Sequence, residues 1–270
     1  MSRSACLVAL CGLVLAAAPV RADEPKSAAK TGESVERILD ALGQEFVLQE
    51  GANINDYPLA ELLLDLNKRY AVPFVINEES FKAAGRLDLK AEKPRFAATD
   101  LKGMTVRQVL NTVLDGFGAV YLIKNGAVEI VTVEHAAKVT KAPVSTSEAG
   151  GLVRLDEPLV SAVFKERPLH EVVARLADTY DLTVLVSPQA GDARAGLVSA
   201  RVLNVPADKA LELLADQADL RVVRRGTTFL VTSKDHANAL LEERVTRDRQ
   251  RIELEKLRAA PPAPVPVPKP

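Results

Sequence analysis

The sequence contains no tryptophan, and aromatic residues make up only 4% of it. Sugar-binding platforms work through exposed aromatic faces, so this scarcity counts against a glycan binder. There are two cysteines, Cys6 and Cys11, both inside an apolar stretch near the N-terminus. The rest of the chain therefore has no disulfide, no thiol nucleophile and no cysteine-ligated metal. His135, His170 and His236 lie far apart, and none has a second His or Cys at ligand spacing. A zinc site needs three or four converging ligands, so the three read as exposed polar residues. No Ser sits in a Gly-x-Ser-x-Gly elbow. Gly116-Phe117-Gly118 is a helix-to-strand turn rather than a phosphate loop. Glu78, Glu79 and Asp88 fall in a Lys- and Arg-rich loop and read as solvated carboxylates, not as a glycosidase pair. The expectation is a non-enzymatic protein with no catalytic residue, no metal site and no cofactor.

An excess of positive charge is also missing. The chain has 35 basic and 36 acidic residues. Nucleic-acid binders usually show a basic excess, so that partner class is not expected. Beyond the N-terminus no stretch approaches the ~20 apolar residues that span a bilayer. The N-terminus itself reads as a secretory signal. Arg3 supplies a positive charge, Ala5 to Ala18 is uncharged, and Val20-Arg21-Ala22 predicts cleavage before Asp23. Leu10 is too bulky before Cys11 for a lipoprotein signal. The chain is therefore expected to be exported, periplasmic in a cell with two membranes, with no transmembrane segment once the signal is removed.

What the sequence does contain is a repeat. Leu59, Leu62, Leu63, Leu66 and Tyr70 form one face of a helix that Pro58 opens. Leu169, Val172, Val173, Leu176 and Tyr180, opened by Pro168, repeat it 110 residues later. A β-branched strand follows each: Val72 to Ile76, then Leu182 to Val186. Short strands come next, Phe96 to Leu101 and Leu197 to Val202. Second helices follow, in which Val106, Val109, Leu110 and Val113 correspond to Ala207, Ala210, Leu211 and Leu214, now 101 residues apart. Each copy closes with a hairpin, Ala119 to Val133 around Asn125-Gly126 and Leu220 to Thr232 around Arg225-Gly226. First strands are expected at Phe46 to Glu50 and Leu159 to Phe164. The predicted fold is α+β: two tandem β-α-β-β-α-β-β modules followed by a charged C-terminal helix.

The predicted organisation is a signal peptide over 1–22 and an N-terminal segment over 23–44, with a short helix on Val35, Ile38, Leu39 and Leu42. A first module covers 45–133, a linker 134–157 and a second module 158–233. A charged helix over 234–258 and a Pro-rich tail over 259–270 follow. The linker reading rests on Ala, Lys, Ser and Thr, with Pro143 and Gly150-Gly151.

The segment Leu101-Lys102-Gly103-Met104-Thr105-Val106-Arg107-Gln108-Val109-Leu110, then Gly118-Ala119-Val120-Tyr121 and Val128-Glu129-Ile130-Val131, resembles the short N-terminal domain of secretins and TonB-dependent receptors. The likeness covers about 45–133 and, more loosely, 159–232, where Asn204 replaces the glycine and Leu220 precedes no tyrosine. It implies a periplasmic protein-interaction module. The partner would be an envelope protein, such as a separately encoded secretin-like or receptor component, or a second copy of the chain. After Thr232 too little chain remains for a barrel of at least eight strands, so no pore is expected. The alternative is an envelope ligand (glycan) binding protein.

Two regions are the candidates for partner contact. One is the charged loop Asn77 to Arg95, which is longer in the first copy and carries Phe81, Lys82, Arg86, Asp88 and Lys90. The other is the last strand of each hairpin, read as an open sheet edge, with Val128 and Ile130 in the first copy.

Overall fold

The computed structural model describes residues 26–47, 54–85, 90–94, 101, 103–146 and 153–259. The signal reading and the Pro-rich tail lie outside these residues, as do most of the expected strands at Phe46 to Glu50 and Phe96 to Leu101. The architecture is α+β, built from small sheets and helices. A first helix, α1 (Lys26–Leu42), leads into the first unit: α2 (Leu59–Tyr70), β1 (Phe74–Ile76), α3 (Glu78–Ala83), α4 (Val106–Asp115), β2 (Ala119–Lys124) and β3 (Ala127–Thr132). Next come α5 (Val133–Thr140), β4 (Val144–Thr146) and β5 (Val153–Leu155). The second unit contains β6 (Leu159–Pro168), α6 (Leu169–Tyr180), β7 (Thr183–Val186), a 3-10 segment at Pro188–Ala195, β8 (Leu197–Pro206), α7 (Ala207–Gln217), β9 (Leu220–Arg225) and β10 (Thr228–Ser233). The long helix α8 (Lys234–Ala259) ends the described chain.

The matched helices form for matched reasons. Pro58 and Pro168 occupy the N-cap positions of α2 and α6, one residue before the helical turn in which the pattern placed them. A proline there forfeits no helical hydrogen bond, because the first N–H groups have no intrahelical acceptor. Both helices stop at a left-handed residue, Ala71 and Asp181, each at φ 54°. Their apolar faces lie in two separate cores. Leu59, Leu66 and Leu110 are fully buried in the first, and Leu169, Leu176 and Leu211 in the second. Each such side chain contributes about 2 kcal/mol by leaving water. Helix α1 adds Val35, Ile38, Ala41 and Leu42 to the first core.

The sheets correct the reading of the hairpins. Strand order is β1-β3-β2 in the first unit and β7-β10-β9 in the second. The last hairpin strand is thus central in each sheet, not an edge. The strand that follows the first helix has taken the outer position and runs parallel to it, Phe74 opposite Val128 and Val184 opposite Phe229. Sequence order concealed this because β1 and β3 are separated by α3 and α4. The first hairpin turns at Asn125 and Gly126, at φ 52° and 75°, the double positive-φ turn that matches strand twist. Its counterpart turns at Gly226-Thr227, one residue later than expected.

Strands β6 and β8 pair antiparallel with two register shifts. In the first unit a single antiparallel bridge, Glu45 to Thr105, marks the corresponding place.

The stretch 134–157 is not a plain linker. Most of it is α5 and the β4–β5 pair. Val133 and Ala136 are buried, and Ala136 packs with Leu122 and Val131 on the outer face of the first sheet. The Thr132 hydroxyl caps α5 by accepting from the His135 N–H, and the Ser233 hydroxyl accepts from His236 in the same way. Ala237, 101 residues after Ala136, is buried too. The repeat therefore runs one helix further than the sequence suggested, and α8 is the extended counterpart of α5.

Candidate functional site

Three of the seven nominated contact residues, Phe81, Val128 and Ile130, are not available as read. Phe81 is 2% exposed and belongs to the first core. The loop was expected to be irregular, but α3 forms at its start, capped by Asn77, and turns Phe81 inward. Val128 and Ile130 are fully buried because their strand is central. Arg86 and Asp88 lie outside the described residues. Lys82 and Lys90 are exposed, and both pair with Glu78. The hydrogen bond from Lys90 holds the Glu78 carboxyl below its ordinary range, with the charge of Lys82 assisting. Such exposed pairs contribute little to stability.

The concentrated polar chemistry lies elsewhere, between the two units. Arg107 stands two residues beyond the cap of α4, beside the stripe that faces the core. It is 5% exposed, and among the described residues no carboxylate lies within ion-pair distance. Its Nη1 donates to the Tyr180 hydroxyl at 2.7 Å and to the Tyr121 hydroxyl at 3.2 Å. Its guanidinium carbon also sits 5.0 Å from the centre of the Tyr180 ring. A buried cation is costly unless its donors are met, and here two phenol oxygens and a ring face meet them. Tyr180 is fixed in turn by β6: its hydroxyl donates to the Ser161 carbonyl at 2.8 Å and accepts from the Ser161 N–H at 2.7 Å.

A second pin lies beside the first. Asn204 projects from β8 onto the outer edge of β2. Its Oδ1 accepts from the Ile123 N–H at 2.8 Å, and its Nδ2 donates to the Ile123 carbonyl at 2.9 Å. One side-chain amide thus meets both backbone groups that a neighbouring strand would meet. Ser161 Oγ donates to Asn204 Oδ1 at 3.3 Å and accepts from the Asn204 N–H at 2.9 Å. Asn204 has φ 55°, a left-handed value that Asn tolerates well, and Gly103 at the corresponding place has φ 77°. Val163 and Leu203 pack onto the first core, and Leu159 onto the outer face of the first sheet. Exposed ion pairs rim the joint, Lys165 to Glu36 at 2.7 Å and Arg154 to Asp115 at 2.8 Å.

A cleft of about 520 Å³ opens along this joint, between α1, the start of α4, β6 and the end of α6. Its charged lining mixes Arg107, Lys165, Arg167 and Arg175 with Glu36, Asp40 and Asp178. The aromatic side chains in its wall, Phe164 and Tyr180, are buried and offer no open stacking face. Burial pushes the Tyr121 phenol up to about 12, against the opposing charge of Arg107. Tyr180 is also raised by burial, with Arg107 again opposing. Both hydroxyls are therefore neutral at physiological pH, suited to hold groups in place rather than to exchange protons.

The sequence pattern placed Tyr180 on a buried face but missed Arg107 and Asn204. A lone Arg beside an apolar stripe usually reads as solvated. Asn in place of Gly103 in the second copy was the available signal, since both residues tolerate a left-handed backbone.

No protein-family model matches the chain, and no curated protein matches it either. Among the described residues, no helix is long and apolar enough to cross a membrane.

Proposed function

We propose that this chain is a non-enzymatic protein-interaction module of the cell envelope, exported by its N-terminal signal and built from two copies of a domain resembling that of secretins and TonB-dependent receptors. One observation carries the reading. The two units are pinned together, and each leaves its outer parallel strand without a further strand partner among the described residues. At equivalent positions on these strands Val75 is 51% exposed and Leu185 56% exposed. An open strand beside an exposed apolar side chain suits the addition of a strand from another protein, with backbone bonds supplying affinity and alternate side chains supplying choice. The lack of an open aromatic face in the cleft favours a protein over a glycan.

The test is site-specific photo-crosslinking in the native envelope. A photoreactive residue at Val75 or Leu185 should give a discrete adduct with another protein. The same group at Thr246, on the charged helix, should not. Identical adduct patterns at all three positions would sink the reading.

A further inference from the structure

The joint between the units is directional. The first unit supplies a receiving face: the outer edge of β2 at Ile123, with Leu122 and Val131 in the sheet and Ala136 on α5. The second supplies an inserting face of Asn204 and Leu159. Since the units repeat, the second also carries a receiving face of its own. A shift of 101 residues turns Ile123, Leu122, Val131 and Ala136 into Arg224, Val223, Thr232 and Ala237. Registers agree, Ile123 opposite Val128 and Arg224 opposite Phe229, so the Arg224 N–H and carbonyl point away from β10 as those of Ile123 point away from β3. Among the described residues no strand pairs with that outer edge of β9.

The first unit likewise has an inserting face. The latch made by Tyr180 on Ser161 is repeated by Tyr70, whose hydroxyl donates to the Glu45 carbonyl at 3.0 Å and accepts from the Val47 N–H at 3.1 Å. The Glu45–Thr105 bridge stands where Leu159 pairs with Pro206. Glu45 is thus the counterpart of Leu159 and Val47 that of Ser161. Glu45 is exposed, and Val47 is 60% exposed.

Charge identifies the occupant. Inside the chain, Leu159 and Val120 both pack against the cluster of Leu122, Val131 and Ala136. On the outward faces their counterparts are Glu45 and Arg221, an anion and a cation. The wider surroundings agree. Residues 33–47 carry four acidic side chains and one arginine, whereas β9 carries Arg221, Arg224 and Arg225 and no acid; within the chain Arg221 also pairs with Asp216 at 2.7 Å and Arg224 with Glu157. We propose that the outer edge of β9 receives the first unit of a second copy of this chain, repeating the intrachain joint head to tail. The proposal rests on the protein-interaction reading and names its partner. A contact of this kind is not self-complementary, so it closes into a ring or runs on as a filament. Gly103 stands where Asn204 does and has no amide to offer. The contact between chains is therefore weaker than the joint within one, and it depends on concentration.

Sedimentation velocity on the signal-free full chain, from micromolar to millimolar, tests this. The average mass should rise with concentration and fall as salt is added. Glu45→Arg and Arg221→Glu should each weaken association about tenfold or more, because each places like charges together. The double variant should restore it, since the pair is then reversed. Both residues are exposed, and circular dichroism checks the fold. Arg225→Glu replaces Arg221→Glu if the latter alters the spectrum, with its own charge-swap double. A wild-type chain that stays monomeric overturns the proposal, as do single variants without effect or a double variant that fails to recover. A monomeric chain that still gives a discrete photo-adduct with a different protein overturns self-assembly alone and leaves the interaction reading intact.

Discussion

The two units share helices, sheet order and register, and they differ mainly where one meets the other. In the first, the outer sheet face is closed by α5 and by Leu159 from the second unit. In the second, the matching face meets the start of α8, and Val120 and Leu122 are replaced by Arg221 and the partly exposed Val223. The helix caps diverge in the same way. Helix α4 is capped within its own unit, by Thr105 and Gln108 in a reciprocal box. Helix α7 begins at Pro206, which offers no side-chain cap. The buried Glu157 carboxylate substitutes by accepting from the Asp208 N–H at 2.9 Å, and it also pairs with Arg224. The pattern that makes the core is held in both copies, while the surfaces have been rewritten for their neighbours.

The strongest break in this comparison comes from the cores. Leu110→Ala and Leu211→Ala remove equivalent, fully buried side chains. Each should cost about 2–5 kcal/mol in urea unfolding. If the two costs differ by more than that range, the units are not packed equivalently.

The tyrosine latches should separate next. Tyr180→Phe leaves both backbone groups of Ser161 and one donor of Arg107 unmet, a loss of about 2–3 kcal/mol. Tyr70→Phe frees only the backbone of Glu45 and Val47, at an exposed site, and should cost about 1 kcal/mol. Equal losses would mean that Arg107 adds nothing to the joint.

Asn204→Ala should cost about 1–2 kcal/mol. It should also speed hydrogen exchange at the Ile123 amide while leaving Val128, inside the sheet, protected. Unchanged exchange at Ile123 would show that another group shields that edge.

The smallest effect is set by pH. Tyr121 is protonated in the fold up to about 12, while an unfolded tyrosine ionises near its ordinary 10. Between these values the native state holds the extra proton, so stability falls as pH rises, by about 1 kcal/mol at about pH 11. Tyr121→Phe should lack that part of the slope, as read from unfolding midpoints at successive pH values.

Helices and hairpins were legible because their signals are local: the apolar stripe of α2, the Asn125-Gly126 turn, the paired prolines. The position of β1 was not, because it depends on a parallel pairing that spans two helices. Helix α5 was hidden in a stretch whose Ala, Lys, Ser and Thr, with Pro143 and Gly150-Gly151, resemble a linker until Ala136 is seen against Leu122. The joint was least legible. Arg107 and Asn204 act through partners 73 and 81 residues away, and no periodicity records such a distance.

That separation has a consequence for the order of events in the cell. The outer edge of β2 is complete once residue 132 or so has been made, but its cover is the side chain of Asn204, about 70 residues further on. At a synthesis rate of about 5–20 residues per second, the edge stays bare for roughly 4–14 s. During that interval it is a template for pairing with other chains, the situation in which aggregation starts. A single asparagine amide ends the hazard. A chain cut short before Asn204 would keep a well-formed first unit and lose its solubility instead.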